Sequence, residues 1–206
     1  MSPADVVPEG AFFAERCGIP VSVSEARLRP WRILSSAYPI RTRFLRLRVD
    51  RVELPSGRVV EDYYVRESRG FAVVFAITPD EQVVLVRQYK HGIGEVILEL
   101  PAGAIDPGET PETCAVRELA EETGYAGKAP EWIRSFVTDP TNSDSRFHLF
   151  VVRDAQVAGP PAPDLTEEIE VVLAPLDELR AMAIDGRIPA GSHVAATLVA
   201  LAHLGR

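Results

Sequence analysis

Residues 103 to 125 read GAIDPGETPETCAVRELAEETGY, and this stretch says the most about the fold of the chain. Thr110-Pro111-Glu112 is a helix start, with a hydroxyl N-cap, proline at the first helical position and an acid in the first turn. Gly124 is a natural helix end, because glycine adopts the left-handed conformation without strain. The segment therefore predicts a helix. Apolar or small residues recur along it at helical spacing, and we expect these to face a core: Val116, Leu119, Ala120 and Thr123.

Three glutamates of this helix share one face. Glu118, Glu121 and Glu122 lie at positions i, i+3 and i+4. Like charges at this spacing cost a few tenths of a kcal/mol per pair on an isolated helix, and a divalent cation would turn that repulsion into binding. Carboxylate oxygens suit Mg²⁺ or Mn²⁺, which keep water ligands and bridge to phosphates. For three helical glutamates alone, a solvated acidic face is the more common outcome.

The whole segment fits a longer pattern, G-x5-E-x7-R-E-U-x-E-E-x-G-U, where U is apolar. The matching residues are Gly103, Glu109, Arg117, Glu118, Leu119, Glu121, Glu122 and Gly124, and only the aromatic Tyr125 departs from it. At residue frequencies of roughly 5–7%, seven fixed positions match by chance far less than about once in a million chains. This pattern is the Nudix box, so the chain is identified as a member of the Nudix hydrolase superfamily.

Composition limits the classes of partner. The chain has 206 residues, 46% hydrophobic and 25% charged, enough for one sizeable core and a small accessory element. A net charge of −8 argues against nucleic acid or an anionic membrane as the main partner, so a phosphate-bearing substrate needs local positive charge or metal ions. We see no signal peptide and no apolar run of membrane-spanning length. Cys17 and Cys114 lack disulfide or metal spacing, which predicts a cytoplasmic protein, with Cys114 buried.

The N-terminal part of the chain has a β pattern. Residues 1–30 are an extension of unknown role, with a short helix predicted over 10–17. Leu45, Leu47 and Val49 alternate with polar residues, as in a half-buried strand. A turn at 55–57 leads to a returning strand, so residues 31–66 are predicted to form a β-hairpin subdomain.

Strands and helices alternate in the remainder, residues 67–206. A continuous apolar run at 71–77 predicts a buried central strand. Further strands are predicted at 83–87, 97–100, 131–138, 147–153 and 169–173, and helices at 176–184 and 192–203. This order predicts an α/β/α sandwich around a mixed sheet, with an N-terminal antiparallel β subdomain.

The resemblance extends beyond the box. Residues 63–66, 85–90, 99–106 and 167–171 resemble the ADP-ribose pyrophosphatase, or nucleoside-diphosphate-sugar hydrolase, branch of the superfamily. That resemblance covers about residues 31 to 200. It implies Mg²⁺-dependent hydrolysis (Mn²⁺ as an alternative) of a nucleoside diphosphate sugar to a nucleoside monophosphate and a sugar phosphate. It also implies a homodimer in which the N-terminal hairpin crosses to the partner subunit and helps build the nucleotide pocket.

Roles in the metal site follow from the same resemblance. Glu118 and Glu122 are the expected metal ligands, with Glu121 sharing the metal or activating water, and the backbone carbonyl of Ala102 is a further ligand. Glu109 and Arg117 are expected to pair and hold the carboxylates in place. A purely structural ion pair is an equal alternative for these two.

A general base in this branch often comes from a late acidic loop. Glu167 and Glu168 are the two candidates, and alignment across the proline-rich linker at 156–163 does not separate them. A solvated acidic loop is the alternative for both.

Substrate-binding residues are predicted before the box. Arg87 and Lys90 are three apart in a strand, so only one should face the phosphates, and we favour Arg87 for its bidentate guanidinium. Glu99 has apolar neighbours, which is unfavourable for a carboxylate unless it meets a metal, a sugar hydroxyl or an arginine.

Aromatic residues and histidines carry weaker signals. Trp31, Tyr38 and Tyr63 are candidate stacking surfaces for the base, although a core or interface role is more common for such residues. The histidines at 91, 148, 193 and 203 lack metal spacing and are interpreted as structural.

The loop at 138–146 departs from the branch pattern. Pro140 is kept and favours ADP-ribose, whereas Thr141 replaces a common glycine and Ser145 a common glutamate. ADP-ribose is therefore the first substrate hypothesis, with GDP-mannose or another sugar nucleotide close behind. A nucleoside triphosphatase is less favoured, because such chains are usually shorter and lack the hairpin. A non-catalytic ADP-ribose sensor usually lacks box glutamates, and all are present here.

Overall fold

The computed structural model describes residues 28–163 and 167–206, so the helix predicted over 10–17 lies outside it. The described part contains strands β1 (Arg32–Arg41), β2 (Arg46–Glu53), β3 (Val59–Glu67), β4 (Phe71–Ala76), β5 (Gln82–Lys90), β6 (Glu95–Glu99), β7 (Ala102–Ala104), β8 (Tyr125–Ala126), β9 (Glu131–Val137), β10 (Arg146–Val152), β11 (Gln156–Val157) and β12 (Ile169–Pro175). The helices are α1 (Pro111–Thr123), α2 (Leu179–Ile184), preceded by a 3-10 turn at Leu176–Glu178, and α3 (Gly191–His203).

The N-terminal subdomain is a three-stranded antiparallel sheet with the order β1-β2-β3. The predicted hairpin corresponds to β2 and β3, and β1 adds an outer strand that is exposed along nearly its whole length. This confirms the antiparallel β subdomain, which is larger by one strand than the hairpin pattern indicated.

Two sheets form the centre of the second part. One has the order β7-β4-β10-β9 and is mixed, because β10 runs parallel to β4, and the other is antiparallel with the order β12-β5-β6. Alternating side chains of β4 point to opposite sides: Val73 and Phe75 pack towards α2 and α3, and Ala72 and Val74 pack against α1. The predicted α/β/α sandwich is therefore confirmed, with β4 buried as expected.

Helix α1 begins and ends as predicted. The Thr110 side chain accepts a hydrogen bond from the Thr113 N–H, Pro111 follows, and Gly124 ends the helix with a φ of 72°. The predicted core face was wrong in part. Leu119 and Thr123 are buried, but Val116 is 50% exposed and Ala120 is exposed as well.

The reason lies in which side of α1 meets the sheets. Buried Cys114 and Ala115, with Leu119, pack against β4 and β10, which confirms the predicted burial of Cys114. The same side carries Glu118 and Glu122, both less than 10% exposed. Glu118 and Glu122 thus lie on the inward face of α1, where side-chain polarity alone would place apolar residues.

No helix of the described residues is long and apolar enough to cross a membrane.

Candidate active site

Gly103 brings the backbone of β7 against the carboxylate of Glu118. A Cβ atom at Gly103 would lie 2.0 Å from the carboxylate carbon of Glu118, far inside van der Waals contact. Any side chain at this position would force Glu118 away from β7. This position of the box therefore requires glycine, because any side chain would displace Glu118. Glu118 is the first of the two glutamates predicted to bind the metal.

Glu122 is the most deeply buried acid of the site, at 2% exposure. Its Oε2 accepts a hydrogen bond of 2.9 Å from the Ala102 N–H. Burial raises the pKa of Glu122 to about 8, and the nearby charges of Glu118 and Glu167 act in the same direction. Burial likewise raises the pKa of Glu118. Two carboxylates are therefore held together in a place that disfavours their negative charge.

Arg117 connects the box loop with the helix. Its guanidinium donates two hydrogen bonds to Glu109, of 2.8 and 2.9 Å, and others to Glu118 at 2.6 Å and Glu121 at 2.9 Å. It also donates to the carbonyl of Ala104 at 3.1 Å. These hydrogen bonds from Arg117 lower the pKa of Glu109 to about 2. The predicted pair of Glu109 and Arg117 is thus present, and it orients the glutamates.

The donor set fits a hard divalent cation. Carboxylate oxygens of Glu118 and Glu122 are the type of ligand that Mg²⁺ and Mn²⁺ prefer, and a cation would offset the cost of burying both charges. Within residues 28–163 and 167–206, no three acidic, histidine or cysteine side chains form a ready-made metal cage. Backbone oxygen, water and substrate phosphate would have to complete the coordination, as is usual for Mg²⁺. The carbonyl of Ala102 stays a prediction for one of these ligands.

Glu167 acts electrostatically on the two buried carboxylates. Its charge contributes to the raised pKa values of both Glu118 and Glu122. Glu168 is exposed, and Glu170, two residues further, pairs with Arg87. The choice between Glu167 and Glu168 as general base stays a prediction, and the charge of Glu167 on both buried carboxylates supports Glu167.

Comparisons with known proteins agree with this geometry. The NUDIX domain model matches residues 67–194, and the model of the nucleoside diphosphate sugar hydrolase N-terminal domain matches residues 31–65. The first match spans more than half of the chain. The chain is a member of the Nudix hydrolase family.

Individual relatives give the same placement. A methanol dehydrogenase activator from Bacillus methanolicus is 38% identical over 137 residues, which are 66% of this chain and 74% of the relative. An ADP-ribose pyrophosphatase from Bacillus subtilis is 37% identical over 111 residues, 54% of this chain and 60% of the relative. A crystal structure of an ADP compounds hydrolase shares the fold, with a TM-score of 0.75 and 23% identity over 88% of this chain and 99% of that one.

Besides Arg117, Lys90 is a positive side chain whose charge acts on the glutamates of this Nudix hydrolase. Its charge acts on the pKa of Glu122, and its Nζ lies 2.9 Å from Glu99 Oε2. Arg87 is on the opposite face of β5, where its guanidinium pairs with Glu170 at 2.7 Å and lies near Met182 and Arg187. The two side chains lie on opposite faces of β5, as the spacing predicted. Which of the two binds phosphate stays a prediction, and this geometry favours Lys90.

Glu99 meets partners that its sequence context did not predict. It is 5% exposed and contacts Lys90, the amide of Gln88 at 3.4 Å and His193 at 3.3 Å. No arginine takes part in these contacts. His193, interpreted from the sequence as structural, is thus part of the surroundings of the site. The signal for it was absent from the local sequence, because it contacts Leu100 across 93 positions of the chain.

The candidate stacking residues lie in the N-terminal sheet. Trp31 is 45% exposed and packs edge-on against Tyr63, with ring centroids 5.4 Å apart. The hydroxyl of Tyr63 donates to the Thr141 carbonyl at 2.5 Å, and that of Tyr38 to Glu67 at 3.0 Å. Two of the three aromatic residues therefore have a partner for their hydroxyl group. Stacking of a base on Trp31 stays a prediction.

The divergent loop at 138–146 connects the two parts of the molecule. Asn142 donates to the Tyr64 carbonyl at 2.9 Å and the Ser143 hydroxyl to the Arg66 carbonyl at 2.9 Å. Asp144 accepts from the Ser68 N–H at 2.8 Å. Ser145 is 4% exposed, so a glutamate at this position would need more room. The loop therefore joins the N-terminal sheet to the second part of the molecule.

Proposed function

We propose that this Nudix hydrolase cleaves the diphosphate bond of a nucleoside diphosphate sugar with Mg²⁺, and that ADP-ribose, giving AMP and ribose 5-phosphate, is its main substrate. The observation that carries the proposal is the pair of buried carboxylates, Glu118 and Glu122, held against Gly103 and Ala102. The match to the sugar-hydrolase N-terminal domain supports the substrate class. The Bacillus subtilis relative, an ADP-ribose pyrophosphatase, supports the choice of substrate.

The residues have distinct tasks in this reaction. Divalent cations supply charge neutralisation of the diphosphate, stabilise the leaving phosphate and lower the pKa of water. Glu118 and Glu122 would hold these cations, with Glu121 as an additional ligand or water-activating group, and Arg117 keeps the carboxylates oriented. Lys90 directs a positive charge towards the diphosphate. Glu167 accepts a proton from the attacking water, whose oxygen bonds to phosphorus as the bridging P–O bond breaks.

Another sugar nucleotide, such as GDP-mannose, is the second candidate substrate. The altered loop at 138–146 favours this alternative, because Thr141 and Ser145 replace residues common in the ADP-ribose branch. The third candidate belongs to another class, a sensor that binds ADP-ribose without cleaving it. The complete set of box glutamates and their burial weigh against that reading.

We further propose a cytoplasmic homodimer with no role for nucleic acid or membrane. Strand β1 and the residue before it support dimerisation, because this edge of the sheet exposes large apolar side chains: Trp31, Ile33, Tyr38 and Ile40 are 40–56% exposed. In this arrangement Trp31 contributes to the nucleotide pocket of the partner subunit. Sedimentation velocity of the purified protein would give a dimer, and a monomer at all micromolar concentrations would exclude this arrangement.

A substrate panel tests the function. Purified protein would be incubated with Mg²⁺ and, separately, ADP-ribose, GDP-mannose, UDP-glucose, NADH and a nucleoside triphosphate, with products separated by chromatography. We expect the fastest cleavage for ADP-ribose. Faster cleavage of another sugar nucleotide would change the proposed substrate and leave the proposed reaction unchanged. Binding of ADP-ribose without any cleavage would favour the sensor.

A further inference from the structure

Three ionisable side chains, His193, Glu99 and Lys90, contact one another in a row that runs from helix α3 towards the active site. His193, in the first turn of α3, lies with its Nε2 3.3 Å from Glu99 Oε1. The other oxygen of Glu99 lies 2.9 Å from Lys90 Nζ. His193 and Glu99 are each 5% exposed, whereas the lysine side chain is 39% exposed at the far end. These contacts therefore connect helix α3, in the layer opposite α1, to Lys90.

The backbone fixes the protonation of the histidine ring. The N–H of Leu100 donates to His193 Nδ1 at 3.2 Å, so Nδ1 carries no proton. The proton of the neutral ring is then on Nε2, the atom that faces Glu99. Burial lowers the pKa of His193, which agrees with a neutral ring. His193 thus presents an N–H donor to one oxygen of Glu99 and leaves the other oxygen to Lys90.

Lys90 requires such a support. A lysine side chain has four flexible bonds and points its charge wherever the nearest partner lies. Glu99, the partner of Lys90, lies three residues before Ala102, whose N–H donates to Glu122 at 2.9 Å. A Glu99 carboxylate held on both sides keeps Nζ at a defined place on this side of the site.

We propose that His193 is a positioning residue, which orients Lys90 through Glu99 for contact with the diphosphate of the substrate. It does not touch substrate itself. The proposal rests on the proposed function for the identity of the substrate, but the contacts among His193, Glu99 and Lys90 do not depend on it.

The sequence offers a direct probe of the lysine. Lys90 and Lys128 are the only lysines of the chain, so protein labelled with ¹³C-lysine gives two sets of side-chain NMR signals. Lys128 pairs with Asp154 at 2.6 Å on the surface and serves as the internal reference. We expect His193→Leu to shift the Lys90 signals towards those of a free lysine, with the Lys128 signals unchanged. His193→Gln keeps an N–H donor and should retain the wild-type signals.

Kinetics provide the second readout. Loss of a hydrogen bond to a charged group is worth about tenfold or more, so we expect His193→Leu to raise KM for ADP-ribose by about tenfold and His193→Gln to restore it. In a Lys90→Met background the same substitution should change KM by less than about twofold, because its effect passes through Lys90. His203→Leu is the matched control. It removes a similar contact on α3, 2.9 Å to Glu131, far along the helix from Glu99.

The outcomes separate the two proposals. Unmoved Lys90 signals in folded His193→Leu, or a full tenfold effect in the Lys90→Met background, would overturn the positioning role. Shifted Lys90 signals in a protein that cleaves no sugar nucleotide would refute the proposed function and leave the positioning of Lys90 standing. If His193→Leu does not fold, His193→Asn takes its place and must shift the same Lys90 signals, since its shorter side chain does not reach Glu99.

Discussion

At the scale of single residues, the site combines groups that stability alone would not select. Glu122 and Glu118 are buried side by side, and their raised pKa values report the cost. Gly103 leaves room for one of them and the Ala102 N–H supports the other. The buried carboxylates therefore serve function at a cost in stability. Substitutions that remove them should lower activity and raise the free energy of unfolding.

Glu122→Gln is the clearest case. We expect kcat to fall by about a hundredfold or more, because a metal site supplies several kcal/mol of transition-state stabilisation and each 1.36 kcal/mol is a factor of ten. Stability should rise. The folded pKa of about 8 lies above the usual 4.5, so wild-type stability is lost as pH increases from 4.5 through 8, and glutamine removes that loss.

Urea unfolding in EDTA at several pH values measures this effect. The stability advantage of Glu122→Gln over wild type should widen between pH 5 and 8. A variant that is less stable than wild type across this window would show that the buried carboxylate is not destabilising.

Gly103→Ala tests the close approach to Glu118. The added methyl group would overlap the carboxylate, so Glu118 must move and the activity with Mg²⁺ should fall by at least about tenfold. Gly191→Ala is the matched control, because a Cβ there meets nothing within 4 Å. Steady-state kinetics of both variants decide the point, and equal activity of the two would contradict the steric role of Gly103.

At the scale of elements, Arg117 and Glu109 attach the box loop to helix α1. Glu109 has a pKa lowered to about 2 by Arg117, against the usual 4.5. A depressed pKa adds stability that is present above pH 4.5 and is lost as pH falls towards 2. Glu109→Gln should therefore be less stable than wild type at pH 7, and the difference should shrink below pH 4.5. Equilibrium unfolding at pH 7, 5 and 4 checks this, and a constant difference would exclude the ion pair as the cause.

Gly124 ends helix α1 under two constraints. Its φ is 72°, and a Cβ would lie 2.3 Å from the carbonyl oxygen of Gly159. We expect Gly124→Ala to lower the free energy of unfolding by more than about 1 kcal/mol, because alanine adds strain at positive φ and a clash. Thr110→Ala, at the other end of the helix, should cost about 1 kcal/mol through the lost N-cap. A smaller loss for Gly124→Ala than for Thr110→Ala in urea titrations would contradict this ranking.

Elements were predicted from sequence where pattern and local chemistry agree. Helix α1, the hairpin of β2 and β3 and the buried strand β4 carry caps, alternation or continuous apolar runs. The core face of α1 was partly wrong, because Val116 is apolar yet exposed and Glu122 is charged yet buried. Residue type indicates burial only where folding is the sole constraint, and this face also carries the two carboxylates that we propose to hold a cation.

At the scale of the whole molecule, the site depends on contacts that no local pattern carries. The choice between Arg87 and Lys90 required the orientation of β5 between its neighbours, and that between Glu167 and Glu168 required the approach of a distant loop. His193 reaches Glu99 from a helix in the opposite layer. The box predicted the carboxylates of the proposed metal site, and tertiary structure supplied the groups around them.

Hydrolysis of ADP-ribose tests the central claim most directly. Wild-type protein and Glu122→Gln would be incubated with ADP-ribose in Mg²⁺ and in EDTA, and the products separated by chromatography. The geometry predicts AMP and ribose 5-phosphate in equal amounts from wild type with Mg²⁺ only, and almost none from the variant. Product formation at the wild-type rate in EDTA, or by Glu122→Gln, would contradict a metal site built on the buried glutamates of α1.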